Sequence, residues 1–174
     1  MLRRTAISVL VLGVAAVAFV ASQPSAFVIE RSAAIEASPE LVYRHIASLR
    51  AMDAWSPWVK MDAQMKVTYE GPEAGVGARS SWEGPEMGKG RLTITAVKPD
   101  REVEMNLEML APMQASNRIV FTLAPLPEGT RVSWRMEGTN GFVGKAMTLL
   151  MGMDEMVGGP FEQGLAALKV LAEA

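Results

Sequence analysis

The sequence predicts an α+β domain in which one curved antiparallel sheet wraps around a C-terminal helix. Between Met65 and Glu137, about six short segments alternate apolar and polar residues, with turn signals between them at hairpin distances. The last segment, with Phe161, Leu165, Leu168 and Ala172 in phase, repeats its apolar residues at helical spacing instead. An antiparallel sheet with one apolar face needs a cover, and this helix is the long element available to it. The sheet must therefore curl around the helix and leave a space between them.

Taken in order, the first strand is Phe27 to Glu36, which alternates around Val28, Glu30, Ser32 and Ala34. Ser38-Pro39-Glu40 opens a helix: Ser38 as N-cap, proline at the first helical position and an acid in the first turn. Leu41, Val42, Ile46 and Leu49 form its apolar side, and Trp55-Ser56-Pro57-Trp58 breaks it. Strands follow at Met65–Tyr69, Arg79–Glu83, Arg91–Val97, Glu102–Met109, Arg118–Leu123 and Arg131–Glu137. The cleanest puts Val103, Met105, Leu107 and Met109 on one face and Glu102, Glu104, Asn106 and Glu108 on the other; Val132, Trp134 and Met136 point inward from the last. From Phe142 onward the chain is helical, and Gly158-Gly159-Pro160 divides it into two pieces or one kinked helix.

The N-terminus has a different character. Arg3 and Arg4 precede Thr5–Ser22, a stretch without charge that as a helix would span about 27 Å, close to the ~30 Å hydrocarbon core of a bilayer. Residues 1–26 therefore read as a transmembrane anchor, or as a signal peptide removed near Ser22, and residues 27–174 as the domain. Two arginines before the apolar stretch place the domain outside the cytoplasm, on the periplasmic side, under the positive-inside rule; the alternative is secretion after cleavage.

Composition excludes several classes of function. The formal charge is −2, with 17 Lys and Arg against 19 Asp and Glu. Two of those basic residues lie before the apolar stretch, so the domain itself is more acidic, with no basic stripe for nucleic acid. The absence of cysteine removes disulfides, thiolate catalysis and cysteine–zinc sites together. A single histidine, His45, and no carboxylates at calcium-loop spacing leave no metal-ligand pattern, and no cofactor is expected.

Several motifs go further. Phe27-Val28-Ile29-Glu30-Arg31-Ser32, Ala37-Ser38-Pro39-Glu40-Leu41-Val42-Tyr43 and Trp55-Ser56-Pro57-Trp58 resemble the opening of the polyketide cyclase/dehydrase-like proteins. Tyr69-Glu70-Gly71, Trp82-Glu83-Gly84, Gly88-Lys89-Gly90 and the run Phe161–Lys169 continue the resemblance, which covers about residues 27–172. These proteins fall in the SRPBCC superfamily, with START-type lipid-transfer domains and the birch-pollen allergen. The resemblance implies a helix-grip fold with a hydrophobic cavity between sheet and terminal helix. It implies no catalytic residue, because members range from lipid carriers and hormone receptors to cyclases, and fold does not fix function.

Candidate site residues follow from the strand faces and the methionine content. Trp55 and Trp58 read either as the lip of the cavity or as rim packing. The 13 methionines suit irregular, adaptable apolar space. Met105, Leu107, Trp134 and Met136 from the strands, with Met147 and Met151 one helical turn apart above them, form the predicted lining, read either as a ligand cavity or as a dry core. His45 as a base lacks an obvious orienting carboxylate, and an Arg118–Asp154 pair is a candidate head-group site only if both are buried. The leading functional expectation is a membrane-tethered binder of an apolar, lipid-like small molecule. The alternatives are a cyclase or dehydratase acting on a polyketide-like substrate, and an accessory subunit docked through residues 5–22 into a membrane protein complex.

Overall fold

A computed structural model describes residues 2–152 and 154–174, with side chains described from Leu12 onward apart from Met153. Helix α1 spans Leu2–Ser22, and β1 spans Ala26–Ile35. Three short helices follow: α2 (Pro39–Ala47), α3 (Leu49–Met52) and α4 (Pro57–Met61). Six strands come next: β2 (Lys66–Glu70), β3 (Arg79–Gly84), β4 (Gly88–Lys98), β5 (Glu102–Ala111), β6 (Ala115–Leu126) and β7 (Gly129–Thr139). The chain ends with α5 (Phe142–Met151), a π-helical turn over Asp154–Gly158, and α6 (Gly159–Ala172).

The seven strands form one antiparallel sheet in the order β1-β7-β6-β5-β4-β3-β2. Strands β2 to β7 are a meander, and β1 closes onto β7 with Ala26 opposite Thr139 and Ile35 opposite Thr130. The helices α2–α4 carry the chain from one edge of the sheet to the other. Register shifts in β4 at Lys89/Gly90 and Ile94/Ala96 bend the sheet, as bulges do.

The core lies between the concave face and α6. Helix α6 buries Pro160, Phe161, Gly164, Leu165, Leu168 and Ala172, which are the in-phase residues of the sequence with Pro160 and Gly164 added. Gly164 lets the helix approach closely: a Cβ there would stand 2.7 Å from Cζ3 of Trp134. Helix α2 begins as predicted, with Ser38 Oγ accepting the Leu41 N–H at 3.3 Å. It adds Val42 and Ile46 to the core, whereas Leu41 is exposed.

The convex face is covered by charge. Arg118 pairs with Glu104 at 2.5 Å and with Glu137 at 2.9 Å, and Arg91 pairs with Glu108 at 2.6 Å. Val120 lies on this face yet is buried, flanked in register by Glu104 and Arg135, whose aliphatic stems can shield it. That accounts for a β6 sequence apolar on both sides. Arg118 and Asp154 are not partners; Asp154 instead pairs with Arg31 of β1 at 2.6 Å. Arg31 also holds Glu162 at 2.6 Å, tying the π-helical turn and α6 to the sheet edge.

Among the described residues no helix is long and apolar enough to cross a membrane. Of the predicted span 5–22, residues 5–11 lie outside those whose side chains are described.

Candidate functional site: an apolar cavity under the terminal helix

A cavity of about 220 Å³ lies between the sheet, α3–α4 and the start of α6. It exceeds the ~150 Å³ of an apolar cavity that takes up benzene. Strand β5 contributes Met105, Leu107 and Met109; β6 gives Asn117, Ile119 and Phe121; β7 gives Trp134 and Met136. Val67, Ser80, Trp82 and Leu92 close the side toward β2–β4, and Val157 with Phe161 forms the roof. Leu49, Met52, Asp53, Ser56, Trp58 and Val59 make the helical wall, with Met65 and Met87 from the adjoining loops.

One end of the cavity is an aromatic block. The Trp134 ring stacks on Phe161 at 4.0 Å between centroids, and Phe121 leans against Trp134 at 4.9 Å. Trp55 meets Phe121 and Trp134 edge-on at 5.9 and 5.6 Å, and its indole N–H donates to the His45 carbonyl at 3.0 Å. These contacts make a rigid wall.

The wall is not wholly apolar. Trp82 Nε1, Trp134 Nε1 and Asn117 Oδ1 are buried and have no hydrogen-bond partner among the described residues. Each such group costs about 1–3 kcal/mol if left unpaired. Trp82 lies across Gly90, its register partner, where any side chain would strike the indole ring. Asp53 sits at the helical wall and accepts a hydrogen bond from the Tyr69 hydroxyl. Burial pushes the Asp53 carboxyl above its usual range, although Tyr69 and Arg50 oppose the shift. Burial, and then the neighbouring carboxylate, push the Tyr69 phenol up to about 12. Arg50 lies over the Tyr69 ring at 4.0 Å. Among the described residues no group of His, Cys, Asp and Glu is placed to hold a metal ion.

The residues singled out from sequence separate into three groups. Trp58, Met105, Leu107, Trp134 and Met136 share the cavity. Trp55 does not line it: it stands behind Phe121 and Trp134, 1% exposed, in a packing role. Met147 and Met151 do not line it either. Gly152, with φ of +74°, turns the chain after α5, and α5 lies against α1 instead of the sheet, with no buried residue. The roof positions fall one segment later, to Val157 and Phe161. Asp53, Ser56, Ser80, Trp82 and Asn117 are wall residues that the strand faces did not single out. For Trp82 a signal existed in Gly90, the glycine its ring requires.

A sheet gripping a C-terminal helix over an internal apolar cavity defines the chain as a helix-grip domain of the SRPBCC kind. It belongs to the family described as polyketide cyclase / dehydrase and lipid transport, whose model matches residues 26–173. No curated protein matches the sequence. Among solved structures, a protein of Chromobacterium violaceum is similar at 21% identity and a TM-score of 0.60, over 84% of this chain and 97% of that one. A protein of Mesorhizobium loti is similar at 20% identity and a TM-score of 0.59, over 86% and 99%. Ara h 8.0201 shares 11% identity with a TM-score of 0.61, over 84% and 97%. At these identities the likeness is one of fold.

Proposed function

We propose that the protein is a membrane-tethered binder of a lipid-like small molecule, held in the cavity under α6. The observation that carries this reading is the cavity itself: a formed apolar space lined by flexible methionines, with a few polar atoms on its wall. The polar side chains in the lining, Asp53, Ser56, Ser80 and Asn117, favour an amphiphile, a molecule mostly apolar with a hydroxyl or carbonyl to pair with them. Residues 5–22 supply the tether, and residues 27–174 lie outside the cytoplasm. A titration of the full-length folded chain with an apolar fluorescent probe tests the binding. One saturable site per chain, from which long-chain alcohols displace the probe, is expected. No saturable uptake with probes of several shapes overturns the reading. Alkaline phosphatase fused after Ala174 tests the orientation: it should be active, and an inactive fusion inverts the topology.

A second reading, a cyclase or dehydratase, is favoured by Asp53, the one carboxyl in the cavity wall, whose pKa burial raises. Asp53→Asn distinguishes the two. A binder keeps its probe affinity and has no turnover to lose.

A further inference from the structure

Because neighbouring strands are antiparallel, all seven bring one of their ends to a common edge. Ala26 opposite Thr139, Asn117 opposite Gly138, Met109 opposite Ala115, Lys89 opposite Ala111 and Lys66 opposite Glu83 mark it. Segments 20–26, 59–66, 84–89, 109–116 and 140–151 therefore lie together, and Val59, Met65 and Met87 carry the cavity wall out to them. The same segments expose Met61, Leu110 and Met113.

Helix α5 belongs to this edge and is unusual. Its ten residues include one charge, Lys145, and none is buried; Leu150 is 84% exposed. A helix this short is marginal in water, and an apolar one needs a cover. It lies beside the end of α1, where the Lys145 ammonium donates to the Ala21 carbonyl at 3.0 Å. Helix α1 exposes Leu12, Val14, Val17 and Phe19 in turn.

Charge divides along the same axis. The segments of this edge and the strand ends beside them carry Lys60, Lys66, Lys89 and Lys145 against Asp62, Glu83 and Glu86, with Glu83 paired to Lys89 at 2.8 Å. The Asp62 carboxylate is buried, accepting the Glu86 and Met87 N–H groups at 3.0 Å each. The loops of the opposite edge carry Glu36, Glu73, Asp100 and Glu128 against Arg101. A chain of net charge −2 thus turns its weakly cationic, apolar end toward its own tether.

We infer that α5 and the loops around Met61, Leu110 and Met113 lie in the headgroup layer of an anionic bilayer, so that the cavity mouth opens onto lipid and the ligand passes directly between bilayer and cavity. The inference rests on the tethered-binder reading, and the test separates the two. The chain has no cysteine, so Met113→Cys, Leu150→Cys and, at the far edge, Glu128→Cys each carry one nitroxide. The full-length chain is placed in nanodiscs of phosphatidylcholine and phosphatidylglycerol. Collision with oxygen relative to a water-soluble nickel chelate should be several-fold higher for the labels at positions 113 and 150 than at 128. Equal ratios at all three positions overturn the inference. So do labels at 113 and 150 shielded from both reagents, which a covering second copy would produce. Apolar-probe uptake in the same nanodiscs reads the cavity separately. Uptake with labels 113 and 150 in water removes the docked edge and keeps the binding reading; shielding by lipid without uptake does the reverse. A chain that does not enter nanodiscs removes the tether and this inference together.

Discussion

Replacing Met136 by tryptophan separates a space that accepts ligand from a filled core. Met136 is buried on β7 and lines the cavity beside Ile119, its register partner on β6. The indole adds roughly six heavy atoms, about the volume of two to three methylenes, and each methylene excluded from an apolar site forfeits ~0.8 kcal/mol. Affinity for an apolar probe should therefore fall by about 1.6–2.4 kcal/mol, roughly 15- to 60-fold. The added ring enters existing space, so urea unfolding should show a loss under ~1 kcal/mol. Val132→Phe is the matched control. Val132 lies on the same face of the same strand, fully buried and away from the cavity, and overpacking there should cost about 1–3 kcal/mol. Probe titration and urea midpoints on the two variants give the answer. If Met136→Trp destabilises as much as Val132→Phe and probe affinity is unchanged, the cavity argument is wrong.

Other expectations concern the fold and its titrating groups. Leu165→Asp places an unpaired charge at a position 2% exposed beneath the sheet, costing several kcal/mol, on the order of the whole stability; circular dichroism should show an unfolded domain. The N–H groups of Met87, Glu86 and Gln64 hold the Asp62 carboxyl below its ordinary value of 3.8, so its stabilisation is present above that pH and lost as pH falls through the lower folded value. In Asp62→Asn the acid limb of a stability–pH curve should be shallower than in wild type, and an unchanged limb would assign it to other carboxylates. With Tyr43→Phe, the one remaining phenol, Tyr69, should ionise near pH 12, and the stability held in its neutral form should be intact below 10 and decline as pH rises toward 12. Ionisation at an ordinary phenol pKa would mean that Tyr69 is neither buried nor bonded to Asp53.

Much of this architecture was legible because each element repeats its own period. The alternation of Val103, Met105 and Leu107, and of Val132, Trp134 and Met136, identifies the concave face, since a strand shows opposite faces to core and solvent. The spacing of Phe161, Leu165 and Leu168 identifies the helix that fills it. What periodicity cannot give is where an amphipathic segment docks. Met147 and Met151 have the right spacing, but α5 packs against α1 and a backbone turn at Gly152 separates it from α6, and nothing in the α5 pattern itself says so. The polar wall was hidden for a related reason. Asp53 lies in a short helical link, and Ser80, Trp82 and Asn117 lie on strands whose sequence mixes polar and apolar residues. Their position at the cavity depends on sheet register and curvature, which single-strand patterns do not encode.

Whether the space under α6 holds an amphiphilic small molecule is decided by native mass spectrometry of the full-length chain extracted in mild detergent. One bound molecule of lipid-like mass per chain is expected, released by organic solvent and absent from Met136→Trp. A wild-type chain folded and intact at its N-terminus, yet carrying no small molecule and acquiring none from added lipids, would contradict it.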